Sequence, residues 1–293
     1  MRKNRKLMKL SEKIKALRKG AGMSQEEFGA RLNVSRQAIT KWESGEGLPD
    51  IGNLLALSRM FNLSLDDLLS EEKALAEKLF LYESRVEYDI DAPMDFDIHL
   101  RSAAEVTVSG TPTEKLEIVL SSNEIADLSH LLKVKIDSSG RGADIDLHRQ
   151  DGITETICRK ALHIGIRLPR RYVQKVEVSA NVGKFNLRHL EYEHFEFGSK
   201  AGEVTLDEIS GDIELDINND VVIRAGSFSG NLSLNQLNAV STLFLPKDKA
   251  VSSRCRGVRT RLLCDTPDLF NSEAPDVIEL NGFNSELTVS FGQ

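Results

Sequence analysis

Two periods divide the chain. From Leu10 to Leu69 apolar residues fall at helical spacing: Ile14 and Leu17, Phe28 and Leu32, Ile39 and Trp42, then Leu54, Leu57 and Phe61. The breaks between these pairs have their own chemistry. Gly20-Ala21-Gly22 ends a first helix. Ser24 caps a second, with Glu27 three residues on to complete a capping box. Asn33 suits the left-handed conformation that closes a helix, and Val34 is expected to be buried beside it. Ser35 caps a third helix, running 35–44. Gly45, Gly47 and Pro49 form a loop, and Asp50 caps a fourth. A short fifth helix is predicted over 64–69. Residues 71–85 (EEKALAEKLFLYESR) lack Gly and Pro and predict a linker helix with an apolar stripe of Leu75, Leu79 and Tyr82.

After Val86 the period becomes two. Polar–apolar–polar–apolar units recur at 105–108, 115–118, 133–136 and 144–147. They then become nearly regular, ending on Val178, Leu187, Phe197, Leu206, Leu215, Ile223 and Leu234. Gly183, Gly202, Gly211 and Gly230 open such units, with a spacing of 19 recurring between them. Short strands about every 9 residues predict an all-β body. The doubled interval favours a two-strand repeat, hence a β-solenoid or β-roll, with a two-sheet sandwich as the alternative. The predicted organisation is a helical domain over 1–70, a linker helix over 71–85 and a β-repeat domain over 86–293.

Charge sharpens this division. The net charge of −7 splits into +5 over residues 1–69 and −12 over 70–293, so attraction for phosphate is confined to the head. The basic run Arg2–Lys6 is as readily a solvated tail as a phosphate contact. Hydrophobic residues are 40% and charged residues 28%, an ordinary globular mix over a length that suits two domains. Cys158, Cys255 and Cys264 are too scattered for a disulfide framework or a metal site and fit a reduced compartment. With no apolar signal core after the basic start and no apolar run of membrane-spanning length, the expected location is the cytoplasm, away from membranes.

The segment Met23–Gly45 carries candidate chemistry. Gly29 is small where two helices must cross closely. Arg36, Gln37, Thr40 and Lys41 are left facing outward on the third helix. Arginine suits guanine, glutamine suits adenine, and threonine and lysine reach base edges or phosphates. Residues 9–69 resemble the phage-repressor-like (Cro-like, or XRE) helix-turn-helix family. The likeness rests on SQEEFGARL, VSRQAITKWE, the following Gly and Pro, and the closing apolar run. Gly29 stands where Ala is usual and Asn33 where Gly is usual; both keep the required geometry. The resemblance implies that Gln25 opens the second helix and holds a phosphate. It implies that the third helix enters the major groove, with Ser35, Arg36, Gln37, Thr40 and Lys41 at the DNA, and that Arg18 pairs with Glu43.

The β body carries no nucleophile elbow, phosphate loop or zincin motif, and its histidines (His99, His130, His148, His163, His189 and His194) show no ligand spacing. No enzyme activity, cofactor or metal is therefore expected. Asp89, Asp91, Asp95 and Asp97 alternate as a solvated strand face does, and Arg254, Arg256, Arg259 and Arg261 form a basic stretch. Residues 160–291 also resemble adhesin-like β-repeat domains of unknown function. The functional expectation is a DNA-binding transcriptional regulator, a repressor, acting as a homodimer on a palindromic operator in double-stranded DNA. The body is expected to dimerise the chain, to sense an effector, or both. The rival expectation is an antitoxin-like or scaffold protein whose body binds a partner protein and whose head autoregulates.

Overall fold

The computed structural model describes residues 10–61, 80–266 and 270–292. The chain divides into two compact units, residues 1–83 with 122–126, and residues 84–121 with 127–293.

In the first unit the helices start where their caps stand. They are α1 (Leu10–Gly20), α2 (Gln25–Leu32), α3 (Arg36–Ser44) and α4 (Ile51–Met60). The Ser24 hydroxyl accepts from the Glu27 amide at 3.2 Å, and the Glu27 carboxylate accepts from the Ser24 amide at 2.8 Å. Two otherwise orphaned donors are thus satisfied reciprocally. The Ser35 hydroxyl and the Asp50 carboxylate each accept from the amide three residues on. Asn33 closes α2 with φ 57°, and Gly45 closes α3 with φ 78°. Between them the helices bury Ile14, Leu17, Met23, Phe28, Leu32, Ile39, Trp42, Leu57 and Phe61. Phe28 and Phe61 lie with ring centroids 5.9 Å apart. Each such side chain is worth about 1.5–3 kcal/mol on burial.

One expected burial is corrected: Val34 is half-buried in its turn, and Leu54 of α4 likewise packs one side against this core. Gly29 has the predicted role: a Cβ there would stand 2.8 Å from the Val34 carbonyl oxygen, so its absence lets α2 approach the chain entering α3. The fifth helix at 64–69, most of the linker helix and the basic run at 2–6 lie outside the described residues. The end of the predicted linker helix is corrected: Tyr82–Asp89 is a strand, β1. Its residues from Tyr82 to Val86 alternate half-buried and exposed, a period of two that a helix cannot satisfy.

In the second unit the strands are β2 (Met94–Thr111), β3 (Lys115–Ser122), β4 (Leu132–Ser139), β5 (Gly142–Arg149), β6 (His163–Pro169) and the long β7 (Val173–Ile217). They continue as β8 (Val222–Ala225), β9 (Phe228–Ser229), β10 (Leu232–Leu237), β11 (Val240–Leu245), β12 (Ser252–Val258), β13 (Arg261–Cys264), β14 (Val277–Phe283) and β15 (Glu286–Phe291). Two short helices, α5 (Leu128–Leu131) and α6 (Glu155–Ala161), interrupt them. Near the start, β4 with β5 and β3 with β6 are antiparallel. From β7 onward the described pairings are parallel. Val204 aligns with Ile223 and Leu215 with Leu234, each nineteen residues on. All seven apolar residues predicted to end the repeating units are fully buried.

The order along the ladder departs from chain order at its far end. β14 lies between β10 and β12, and β15 pairs with both β11 and β13. The last two strands of the chain therefore enter between their predecessors and leave β12 and β13 at the margin. The recurring glycines mark close backbone approaches: a Cβ on Gly211 would lie 2.1 Å from the Tyr192 carbonyl oxygen, and one on Gly230 would lie 2.3 Å from that of Gly211. Both glycines adopt positive φ, 134° and 114°.

Candidate nucleic-acid interface

The turn Asn33-Val34-Ser35 aims α3 so that Ile39 and Trp42 point into the core. Ser35, Arg36, Gln37, Thr40 and Lys41 remain exposed on the other side. Ser35 uses an oxygen lone pair as the cap of α3 and keeps its own proton free to donate. The row carries two positive charges and the side-chain amide of Gln37, which can donate and accept at once.

A hydrogen-bonded clamp ties α3, which carries this row, to α1 and α2. Arg18 of α1 donates to both carboxylate oxygens of Glu43, from Nε at 2.5 Å and from Nη2 at 3.1 Å, and from Nη1 to the Met23 carbonyl at 2.7 Å. The pair is largely shielded, with side-chain exposures of 11% for Arg18 and 4% for Glu43. Gln25 Nε2 donates to Glu43 at 2.9 Å, and the Thr40 hydroxyl lies 3.2 Å from Gln25 Oε1 and 3.0 Å from the Arg36 carbonyl. Burial pushes the Glu43 carboxyl up, but hydrogen bonds from Arg18 and Gln25 and the guanidinium charge outweigh it and hold the group below the usual carboxylate range. Arg18 is raised in turn, chiefly by the Glu43 hydrogen bond.

The eight residues singled out in the sequence therefore come together, but they divide by freedom. Arg36, Gln37 and Lys41 extend from α3 with no side-chain hydrogen bond or ion pair among the described residues. Gln25 and Thr40 are tied to each other and to the clamp, a link that sequence spacing did not reveal. Gln25 retains one unused amide proton and Thr40 its lone pairs, so each can still meet an outside group.

The helix-turn-helix family model HTH_3 matches residues 14–68. YgzD of Bacillus subtilis, an uncharacterised helix-turn-helix-type transcriptional regulator, is 32% identical over 65 residues, which cover 98% of YgzD and 22% of this chain. The chain belongs to the helix-turn-helix family. In this helix-turn-helix protein the likeness also reaches the transcriptional activator BcrR of Enterococcus faecalis, at 43% identity over 68 residues. The matched region spans 23% of this chain and 33% of BcrR. A candidate adhesin of Bacteroides fragilis, solved by crystallography, aligns over 72% of this chain and 97% of its own, at 11% identity and a TM-score of 0.39. Among the described residues no helix is long and apolar enough to cross a membrane.

Proposed function

We propose that this chain is a sequence-specific DNA-binding transcriptional regulator that reads the major groove with α3. The observation that carries the proposal is the exposed row Arg36, Gln37 and Lys41 on α3, a helix tied to α1 and α2 by the Arg18–Glu43–Gln25 clamp. Arg36 and Gln37 sit in the first turn of α3, where a recognition helix reaches base edges, and suit guanine and adenine. Lys41, Ser35, Thr40 and Gln25 serve the backbone, with the unused Gln25 proton and the free Ser35 hydroxyl proton as donors to phosphate oxygens.

One head offers few base contacts, and specific affinities of about 10⁻⁸–10⁻¹¹ M usually need two heads on a palindrome. We therefore assign the β body the role of joining two copies. The body is read as a solenoid of two strands per coil; in-register parallel pairing at an interval of nineteen supports this over an antiparallel sandwich. Its marginal strands β12 and β13 each have one described ladder partner, and Val258 and Leu263 are exposed on them. A free strand edge of this kind invites pairing with another chain. An operator-bound dimer would exclude polymerase, so repression is the expected sign.

Nuclease footprinting of the full-length protein over its own upstream DNA tests the reading. Two protected half-sites about 34–36 Å apart are expected. Absence of any site bound more tightly than random duplex, together with a stoichiometric protein partner in pull-down, would replace it with the scaffold alternative.

A further inference from the structure

The half-buried side chains of His194, Glu196 and Glu214 converge on the β body. One donor atom from each lies within 4.8 Å of the others, and His194 Nε2 is 3.9 Å from Glu214 Oε2. His194 and Glu196 are two apart on β7, so the pleat sends both to one face. A later pass of the same strand brings Glu214 against them. This triad is invisible to a search for paired histidines, since two of its donors are carboxylates and the third residue is eighteen positions away.

Several carboxylates of the body are offset by a lysine or arginine. Glu203 is bridged by Lys184 at 2.8 Å and Arg224 at 3.3 Å. Glu117 is bridged by Arg167 at 3.1 Å, and Glu279 by Arg256 at 3.2 Å. Around Glu196 and Glu214, among the described residues, no lysine or arginine forms an ion pair. Glu177 and Asp216 add further negative charge near Glu196. Like charges set side by side on a sheet are destabilising unless a cation joins them.

The cluster also has outer support. Glu214 Oε1 accepts from Asn235 Nδ2, whose own amide oxygen accepts from Asn281 at 3.1 Å. A hydrogen-bond chain across three strands thus fixes one glutamate oxygen and leaves the other toward His194. Second-sphere support of this kind orients metal ligands.

We propose that His194, Glu196 and Glu214 form a binding site for a divalent first-row transition ion such as Zn²⁺. Donors around one such ion at about 2.0–2.2 Å stand roughly 3.2–3.6 Å apart, so modest rotation of half-exposed side chains closes the triad. The imidazole nitrogen sets the choice of ion: Ca²⁺ and Mg²⁺ prefer all-oxygen shells, whereas imidazole suits zinc and its neighbours. Water completes the shell on the solvent side. The site is independent of operator reading, and its test uses no DNA.

Calorimetric titration of the full-length protein with Zn²⁺ should give one strong equivalent per chain. Glu196→Gln, which keeps the shape of the side chain, and His194→Ala should each weaken it at least tenfold. Glu203→Gln and the double change Cys255→Ser with Cys264→Ser should leave it within twofold. Co²⁺ should show ligand-field bands that both ligand variants lose. Zinc binding absent from the wild type, or untouched by Glu196→Gln and His194→Ala, would overturn the assignment. So would displacement of Zn²⁺ by millimolar Mg²⁺.

Discussion

Gln37 and Arg36 leave α3 at its first turn, exposed and without side-chain partners among the described residues, so truncating either should not disturb the fold. We expect Gln37→Ala and Arg36→Ala each to cost about 1–3 kcal/mol of operator affinity and to relax preference at one base position per half-site. Gln25→Ala should instead weaken binding to all sequences alike. Fluorescence anisotropy on a panel of base-substituted operators separates the two outcomes, and unchanged specificity in both α3 variants would sink the assignment of the reading helix. Glu43 is a different kind of residue. Removing it strands Arg18 in a shielded site, which costs about 3–5 kcal/mol for a buried pair and under about 1 for a surface pair. Exposures of 11% and 4% place this pair nearer the first range. Trp42 is the only tryptophan and lies in the helical core, so its fluorescence reports the head within the full chain. Glu43→Ala should lower that transition, and an unmoved midpoint would show the clamp to be energetically idle.

At the level of helices, capping and the clamp make separable contributions. Ser24→Ala breaks the capping box of α2 and should cost about 1 kcal/mol by Trp42-monitored denaturation. The clamp adds a pH dependence. Glu43 has a folded pKa below its unfolded value of about 4.3, so its contribution is complete above that value and is lost as pH falls through the folded one. The wild-type head should therefore lose stability below about pH 4 more steeply than Glu43→Gln. Parallel curves for the two proteins would contradict this. The three N-caps Ser24, Ser35 and Asp50, the left-handed Asn33 and the small Gly29 could be read from sequence because each acts within one or two turns of helix. The Gln25–Thr40 link could not: it depends on how α2 and α3 cross.

For the whole molecule, the two units should respond to different changes. A Cβ on Gly230 would meet the Gly211 carbonyl oxygen at 2.3 Å, in a backbone conformation that side chains disfavour. Gly230→Val should lower the circular-dichroism transition of the β body and leave the Trp42 transition in place; a common shift of both would argue that the units unfold as one. Assembly is tested by sedimentation of the full chain against a fragment ending near Ser70. We expect a dimer and a monomer respectively, and equal operator affinity of the two would defeat a dimer held by residues 71–293. In the basic stretch, Arg254 and Arg256 pair with Glu279, and Arg261 pairs with Glu286, within the same chain. We expect the dimer to form instead through β12 and β13, each with one described ladder partner, and their apolar residues.

Local chemistry determined what a short stretch of chain can settle alone. The helix starts, the outward row on α3, the burial of every repeat-closing residue from Val178 to Leu234, and the glycine corners all follow from periods, caps and backbone freedom. Only the tertiary structure decided which strands are neighbours. An alternating pattern buries one face equally well against any partner, so it cannot say that β14 enters between β10 and β12. Nor can it say that Tyr82–Arg85 leaves a helical-looking run to become a strand, or that His194 and Glu196 meet Glu214. Those outcomes depend on backbone pairing between distant segments, whose register is fixed by the packing of the whole body.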